Sequence, residues 1–319
     1  MNEIFVFIIN NQRINKQIEK NYRNLMKRIQ IRPDKKYTKF FKNKTILITG
    51  GAGSLGSALT KELIQYPVKS IRILDINEHA LFQLNRTLKD PRLRLLLGSV
   101  LDKDRVEMAG NNADIIIHTA AVKNIEISEF NPIETVDINV TGIINMIKMA
   151  IRNKPEIFLN ISTDKAAEST TLYGTTKQLS EKLISWAGHH IKYTKFATAR
   201  FGNIIESRGN VFEIWNDETS QKKPLSITDP AMERYFFHIN DAVNFVLRCT
   251  TLTSSGEIFV PKMKSYNILD MAKKISKNYK IIGIRQGEKI NEVLLTSAEK
   301  KMAKEEKDLW IIKPYSPYL

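Results

Sequence analysis

The sequence predicts an α/β protein built on a Rossmann-like, doubly wound parallel sheet, with a smaller C-terminal α/β part that binds substrate. Three observations predict it. Apolar strand-like runs alternate with helical patterns from Lys44 onward, a glycine-rich turn joins the first run to the first helix, and an acidic residue closes the second run.

The first run, Thr45 to Thr49, leads into Gly50-Gly51-Ala52-Gly53-Ser54-Leu55-Gly56, with an amphipathic helix beginning near Ser54. Glycines spaced G-x-x-G-x-x-G let the backbone turn tightly and approach a pyrophosphate, whose charge meets the free N–H groups of the helix start. Gly50, Gly53, Ser54, Leu55 and Gly56 are therefore expected cofactor contacts. The second run, Ile71 to Leu74, ends on Asp75, 19 residues after Gly56, where a carboxylate accepts both ribose hydroxyls of a dinucleotide. Asp75 tilts the cofactor toward NAD because it would repel the 2′-phosphate of NADP, which remains the alternative. Further runs at Leu93 to Leu97, Asp114 to His118, Ile157 to Ile161 and Phe196 to Ala199 continue the sheet. After Arg200 the rhythm breaks into loops, a short strand at Pro224 to Ile227, a helix from Asn240 and a strand-helix unit across Glu257 to Lys277. The chain is accordingly divided into a basic extension (1–43), a dinucleotide-binding domain (44–202) and a mainly substrate-binding part (203–319).

At 319 residues and 42% hydrophobic content the chain suits a globular enzyme with a full core. A single cysteine, Cys249, rules out an intrachain disulfide, supplies no metal-ligand cluster and favours a reducing cytoplasm, with a core-packing role expected for it. No metal is expected. The apolar stretch Ile4 to Ile9 is too short to span a bilayer and lacks the pattern of a signal peptide. Residues 1–44 hold 12 Lys or Arg against 3 acidic residues, so this segment carries +9 of the total +15. That arm is a candidate for peripheral contact with an anionic membrane surface, against the plainer reading of a solvated helix. No recognised nucleic-acid motif accompanies it, and no nucleic-acid partner is expected.

The chemistry concentrates in Ser162-Thr163-Asp164-Lys165-Ala166-Ala167 and Leu172-Tyr173-Gly174-Thr175-Thr176-Lys177. Tyr173 and Lys177 are four apart on one helical face and can reach the same ligand. A lysine ammonium near a phenol favours the phenolate, so Tyr173 is suited to exchange a proton with a sugar hydroxyl while NAD takes or returns hydride.

With these segments the sequence resembles the extended short-chain dehydrogenase/reductases, and specifically the UDP-N-acetylglucosamine 4,6-dehydratases. The resemblance runs from Lys44 to about Pro314. It is carried by Ser162 to Ala166, His118-Thr119-Ala120-Ala121-Val122-Lys123, Arg200-Phe201-Gly202-Asn203 with Ser207-Arg208-Gly209, Glu233-Arg234-Tyr235-Phe236, and Arg285-Gln286-Gly287-Glu288-Lys289. The resemblance implies that Lys165 removes the C5 proton of a 4-keto sugar and that Asp164 protonates the departing C6 hydroxyl. Thr163, Tyr173 and Lys177 complete the catalytic set. For these roles Lys165 must be neutral and Asp164 protonated, and burial beside Lys123, Lys177 and NAD is expected to depress the lysine. The resemblance also puts Ser99, Val100, Ala120 and Ala121 on the cofactor, and Lys123, Asn203, Ser207, Arg208, Arg234, Arg285 and Glu288 on a UDP-sugar. Asn139 matches a position that helps order the active-site helix.

The sequence departs from the family pattern at Ser99, Asn124, Glu126, Gln286 and Asn291. Tyr173 resembles the short soluble branch, since several membrane-anchored relatives carry methionine there. The resemblance implies a homo-oligomer. A UDP-sugar 4-epimerase stays open as the rival reading, with a non-catalytic NAD-binding regulatory protein more remote. The Asp164-Lys165 pair leans against the first and the Tyr173-Lys177 pair against the second.

Overall fold

The computed structural model describes residues 36–314, so most of the basic extension, including every expectation placed on residues 1–35, lies outside the described residues. The described residues open on a short helix, Lys36–Phe41, whose Tyr37 and Phe41 pack with Tyr66 at one edge of the core.

Six strands then appear in sequence: β1 (Thr45–Thr49), β2 (Ser70–Asp75), β3 (Leu93–Leu97), β4 (Ile115–His118), β5 (Ile157–Thr163) and β6 (Lys195–Phe201). They pair in parallel in the spatial order β3-β2-β1-β4-β5-β6. β1 and β4 are buried along their whole length, as expected of strands covered on both faces by crossover helices. The order reverses between β1 and β4, which opens a crevice at their carboxyl ends.

Beyond residue 202 follow β7 (Asn203–Ile204), β8 (Leu225–Ile227), β9 (Glu233–Phe237), β10 (Glu257–Pro261), β11 (Ser265–Asn267), β12 (Tyr279–Ile281), β13 (Lys304–Glu305) and β14 (Leu309–Ile312). The strand read as part of the substrate-covering unit, β10, instead lies parallel to β6 in the main sheet, and β14 pairs antiparallel on its far side. Its apolar run explains the placement: Phe259 and Val260 are sealed from solvent and need cover on both faces. β11-β9-β7 and β12-β8 form two small sheets of their own. Their core is a separate cluster around Trp215, Phe212, Phe236, Leu225 and Ile268. The C-terminal third therefore both widens the main sheet and builds a second layer over the crevice.

Cys249 is buried in the helix Ile239–Leu252, as its core role requires. Among the described residues no helix is long and apolar enough to cross a membrane.

Candidate active site

The glycine turn follows from close packing. Gly50 has φ +63, and a Cβ there would stand 2.7 Å from the Ala120 Cα at the end of β4. A Cβ on Gly56 would meet Gly50 O at 2.6 Å. The helix Ser54–Leu63 begins at Gly53 with no side-chain cap and no acidic residue in its first turn, so its free amides suit an anion. Asp75 is oriented by two backbone amides, from Ala52 and Asn77, each donating at 2.9 Å.

A cavity of about 830 Å³ runs from this turn to the ends of β5 and β6. Every residue expected at the cofactor, from Gly50 through Asp75, Ser99, Val100, Ala120 and Ala121 to Tyr173 and Lys177, lines it. So do Thr163, Lys165, Lys123, Asn203, Ser207, Arg208, Arg285 and Glu288. Asp164 and Arg234 stand behind the wall. Arg234 uses its guanidinium to donate to the carbonyls of Glu233 and Ile290, at 2.8 and 3.0 Å.

The reacting cluster is assembled by the end of β5. Thr163 caps a single turn of 3₁₀ helix, Asp164–Ala166, and the helix Leu172–His190 packs directly on that turn. Asp164 is 0% exposed. Its Oδ1 accepts from Thr163 Oγ1 at 2.9 Å and from Lys165 Nζ at 3.0 Å, while its Oδ2 has no hydrogen-bond partner among the described residues. Asn139 ties the helix to the cavity wall. It accepts from Val122 N at 2.8 Å and donates to Thr176 Oγ1 at 3.0 Å, which bears out its supporting role.

Two electrostatic expectations are corrected. Lys165 is not depressed: burial pushes its ammonium down, but the Asp164 and Glu292 carboxylates more than offset this, and the net shift is upward. Nor is the phenol of Tyr173 lowered. Burial raises it to about 12, against the pull of Lys165 and a hydrogen bond with Thr163. Burial lowers Lys177 to about 8, with Glu181 opposing, and Lys165 is a further cation that draws the Tyr173 phenol down.

Sequence reasoning missed Glu292, whose Oε1 lies 3.4 Å from Lys165 Nζ. The signal for it was a glutamate four residues beyond Glu288, in the same charged segment as Arg285. The departures from the family pattern also find local roles. Asn124 caps the helix Ile125–Phe130, and Glu126 binds Arg285 at 2.8 Å across the cavity mouth.

The sheet order, the glycine turn and the Tyr173-Lys177 pair at one crevice define an extended short-chain dehydrogenase/reductase. The chain belongs to the polysaccharide biosynthesis protein family, whose model matches residues 46–314. Over 280 residues it is 38% identical to a UDP-N-acetylglucosamine 4,6-dehydratase (inverting) of Campylobacter jejuni, covering 86% of this chain and 84% of that one. It is also 35% identical to a UDP-glucose 4-epimerase of Rickettsia canadensis, covering 83% of this chain and 81% of the relative. The X-ray structure of Pen from Bacillus thuringiensis superposes with a TM-score of 0.83 at 32% identity, over 87% of this chain and 90% of Pen.

Proposed function

We propose that the protein is a UDP-N-acetylhexosamine 4,6-dehydratase that inverts C5, uses NAD and supplies a 4-keto-6-deoxy sugar for surface glycans. The observation that carries this reading is the Asp164-Lys165 ion pair beside Tyr173 at the cavity end. A plain C4 oxidation needs the Tyr173-Lys177 pair but has no use for a second acid and base.

The residues present fit a dinucleotide. The uncapped first turn at Gly53 suits its pyrophosphate and the oriented Asp75 carboxylate suits an unphosphorylated ribose. A nicotinamide bound there would supply the acceptor for the C4 hydride and its return at C6. Tyr173 takes the C4 hydroxyl proton from its minor phenolate form, the form that Lys165 and the Thr163 hydrogen bond favour against burial. The resulting ketone acidifies C5–H, and Lys165 as an amine removes that proton. Asp164, sealed behind the wall, supplies one to the leaving C6 oxygen by way of the Thr163 hydroxyl, which lies 2.9 Å from its Oδ1 and lines the cavity, so that water departs. The ground-state ion pair already holds the single proton this requires. Its transfer from Nζ to Oδ1, 3.0 Å away, makes base and acid together.

The 4-epimerase reading is favoured by the Rickettsia relative and shares every step up to the ketone. Proton NMR with UDP-N-acetylglucosamine and NAD in deuterated water separates the two. A new C6 methyl signal with deuterium at C5 is the expected result; a C4 epimer with C6 still hydroxylated overturns it. Lys165→Ala should lower dehydration by roughly 10²- to 10⁴-fold while retaining bound NAD. Unchanged turnover would remove the lysine from the mechanism. The reading also includes a cytoplasmic homo-oligomer, for which light scattering of the purified protein is the direct check.

A further inference from the structure

Charged groups meet behind the cavity wall at Lys165. Its Nζ lies 3.0 Å from Asp164 Oδ1 and 3.4 Å from Glu292 Oε1, and Lys289 Nζ stands 3.2 Å from the other Glu292 oxygen. Glu292 is 6% exposed and lies outside the cavity lining to which Lys165 belongs. It is held there because its segment is stitched to β9. Glu233 N and the Arg234 guanidinium both donate to Ile290 O at 3.0 Å, and Glu233 pairs with Asn291 as an isolated bridge. The same segment carries Arg285 and Glu288 in the cavity wall.

Dehydration needs Lys165 as an amine and Asp164 as an acid. Moving one proton from Nζ to Oδ1 breaks one N–H bond, forms one O–H bond and leaves the proton count of the pair unchanged. A second carboxylate at 3.4 Å opposes that transfer, because it stabilises the ammonium. We propose that Glu292 is a positioning residue that sets the protonation balance of the Lys165-Asp164 pair, and with it the pH range over which dehydration runs. The inference rests on the dehydratase reading above.

The groups facing the pair come from every packed element: Thr163 and Asp164 at the end of β5, Tyr173 on the helix, Arg234 and Tyr235 on β9, and Lys289 with Glu292 on the C-terminal segment. Removing one negative charge beside Lys165 lowers the proton affinity of its amine.

The test is the pH profile of kcat for Glu292→Gln, an isosteric change, and for Lys289→Met, which removes the opposing cation. Glu292→Gln should move the whole profile to lower pH by on the order of one unit, with KM little changed. Lys289→Met should move it to higher pH. The same shifts should appear in the pH dependence of Lys165 acetylation by acetic anhydride, read by peptide mass mapping, a measurement independent of turnover. Superimposable profiles overturn the inference, as does a loss of kcat equal at every pH, which marks a merely structural role. If Glu292→Gln does not fold, the direction of the Lys289→Met shift decides alone. A wild-type protein with no dehydration at any pH would defeat the dehydratase reading, and the acetylation profile would still judge Glu292.

Discussion

His118 closes β4 with its ring sealed from solvent and its Nδ1 2.7 Å from Thr49 Oγ1. Burial, with Lys177 nearby, pushes the imidazole down to about 3, so it is neutral in the folded protein at any physiological pH. The unfolded chain protonates this histidine near pH 6.5. Its folded value is therefore depressed, its contribution is unimpaired above pH 6.5, and stability is lost as pH falls from there toward 3. The loss is on the order of a few kcal/mol. His118→Asn should show a shallower fall of Tm between pH 7 and 4 than the wild type, by scanning fluorimetry, and parallel slopes would refute the assignment. Lys165, Tyr173 and Lys177 teach the same lesson. Residue type and spacing singled them out, but their proton affinities follow from burial first, and that of Lys165 also from Asp164 and from Glu292 on a distant segment.

At the scale of elements, the 3₁₀ turn Asp164–Ala166 and the helix Leu172–His190 fit together at a glycine. A Cβ on Gly174 would stand 2.5 Å from the Lys165 carbonyl oxygen. That oxygen belongs to backbone and cannot swing aside, so Gly174→Ala must separate the turn from the helix that carries Tyr173. Turnover should fall by about 10²-fold, the scale of an ångström misplacement, while NAD content is retained. Wild-type kcat in this variant would show that the turn tolerates displacement. The strands β1 to β6 were legible because apolar runs bounded by turns leave little choice of conformation. β10 was legible as a strand but not as a member of the main sheet, since nothing local in Glu257 to Pro261 says which neighbour it will pair with.

Across the whole molecule, the C-terminal third is fastened to the helix Leu172–His190 by Arg200, which is 1% exposed. Its guanidinium binds Glu181 on that helix at 2.6 Å and Glu299 on the helix Ser297–Met302 at 2.8 Å, and donates to Leu294 O at 3.0 Å. Arg200→Met would leave Glu181 buried without its partner, and should destabilise the fold by about 3–5 kcal/mol in chemical denaturation. A loss under 1 kcal/mol would show that the network relaxes on its own. The network anchors the chain at Leu294, only two residues from Glu292, which faces Lys165.

By itself, the sequence determined the parallel character of the first six strands, the glycine turn, and the placing of Asp75, Lys165, Tyr173 and Lys177 at one cavity, because these are fixed by neighbours within a few residues. Only the tertiary structure decided that β10 and β14 widen the sheet, that Arg234 and Asp164 stand behind the cavity wall, and that Lys165 is held as a cation. Those outcomes depend on burial and on charges more than 100 residues apart in sequence, as Lys165 and Glu292 are. Coulomb interaction and desolvation act through space, and spacing along the chain does not encode them.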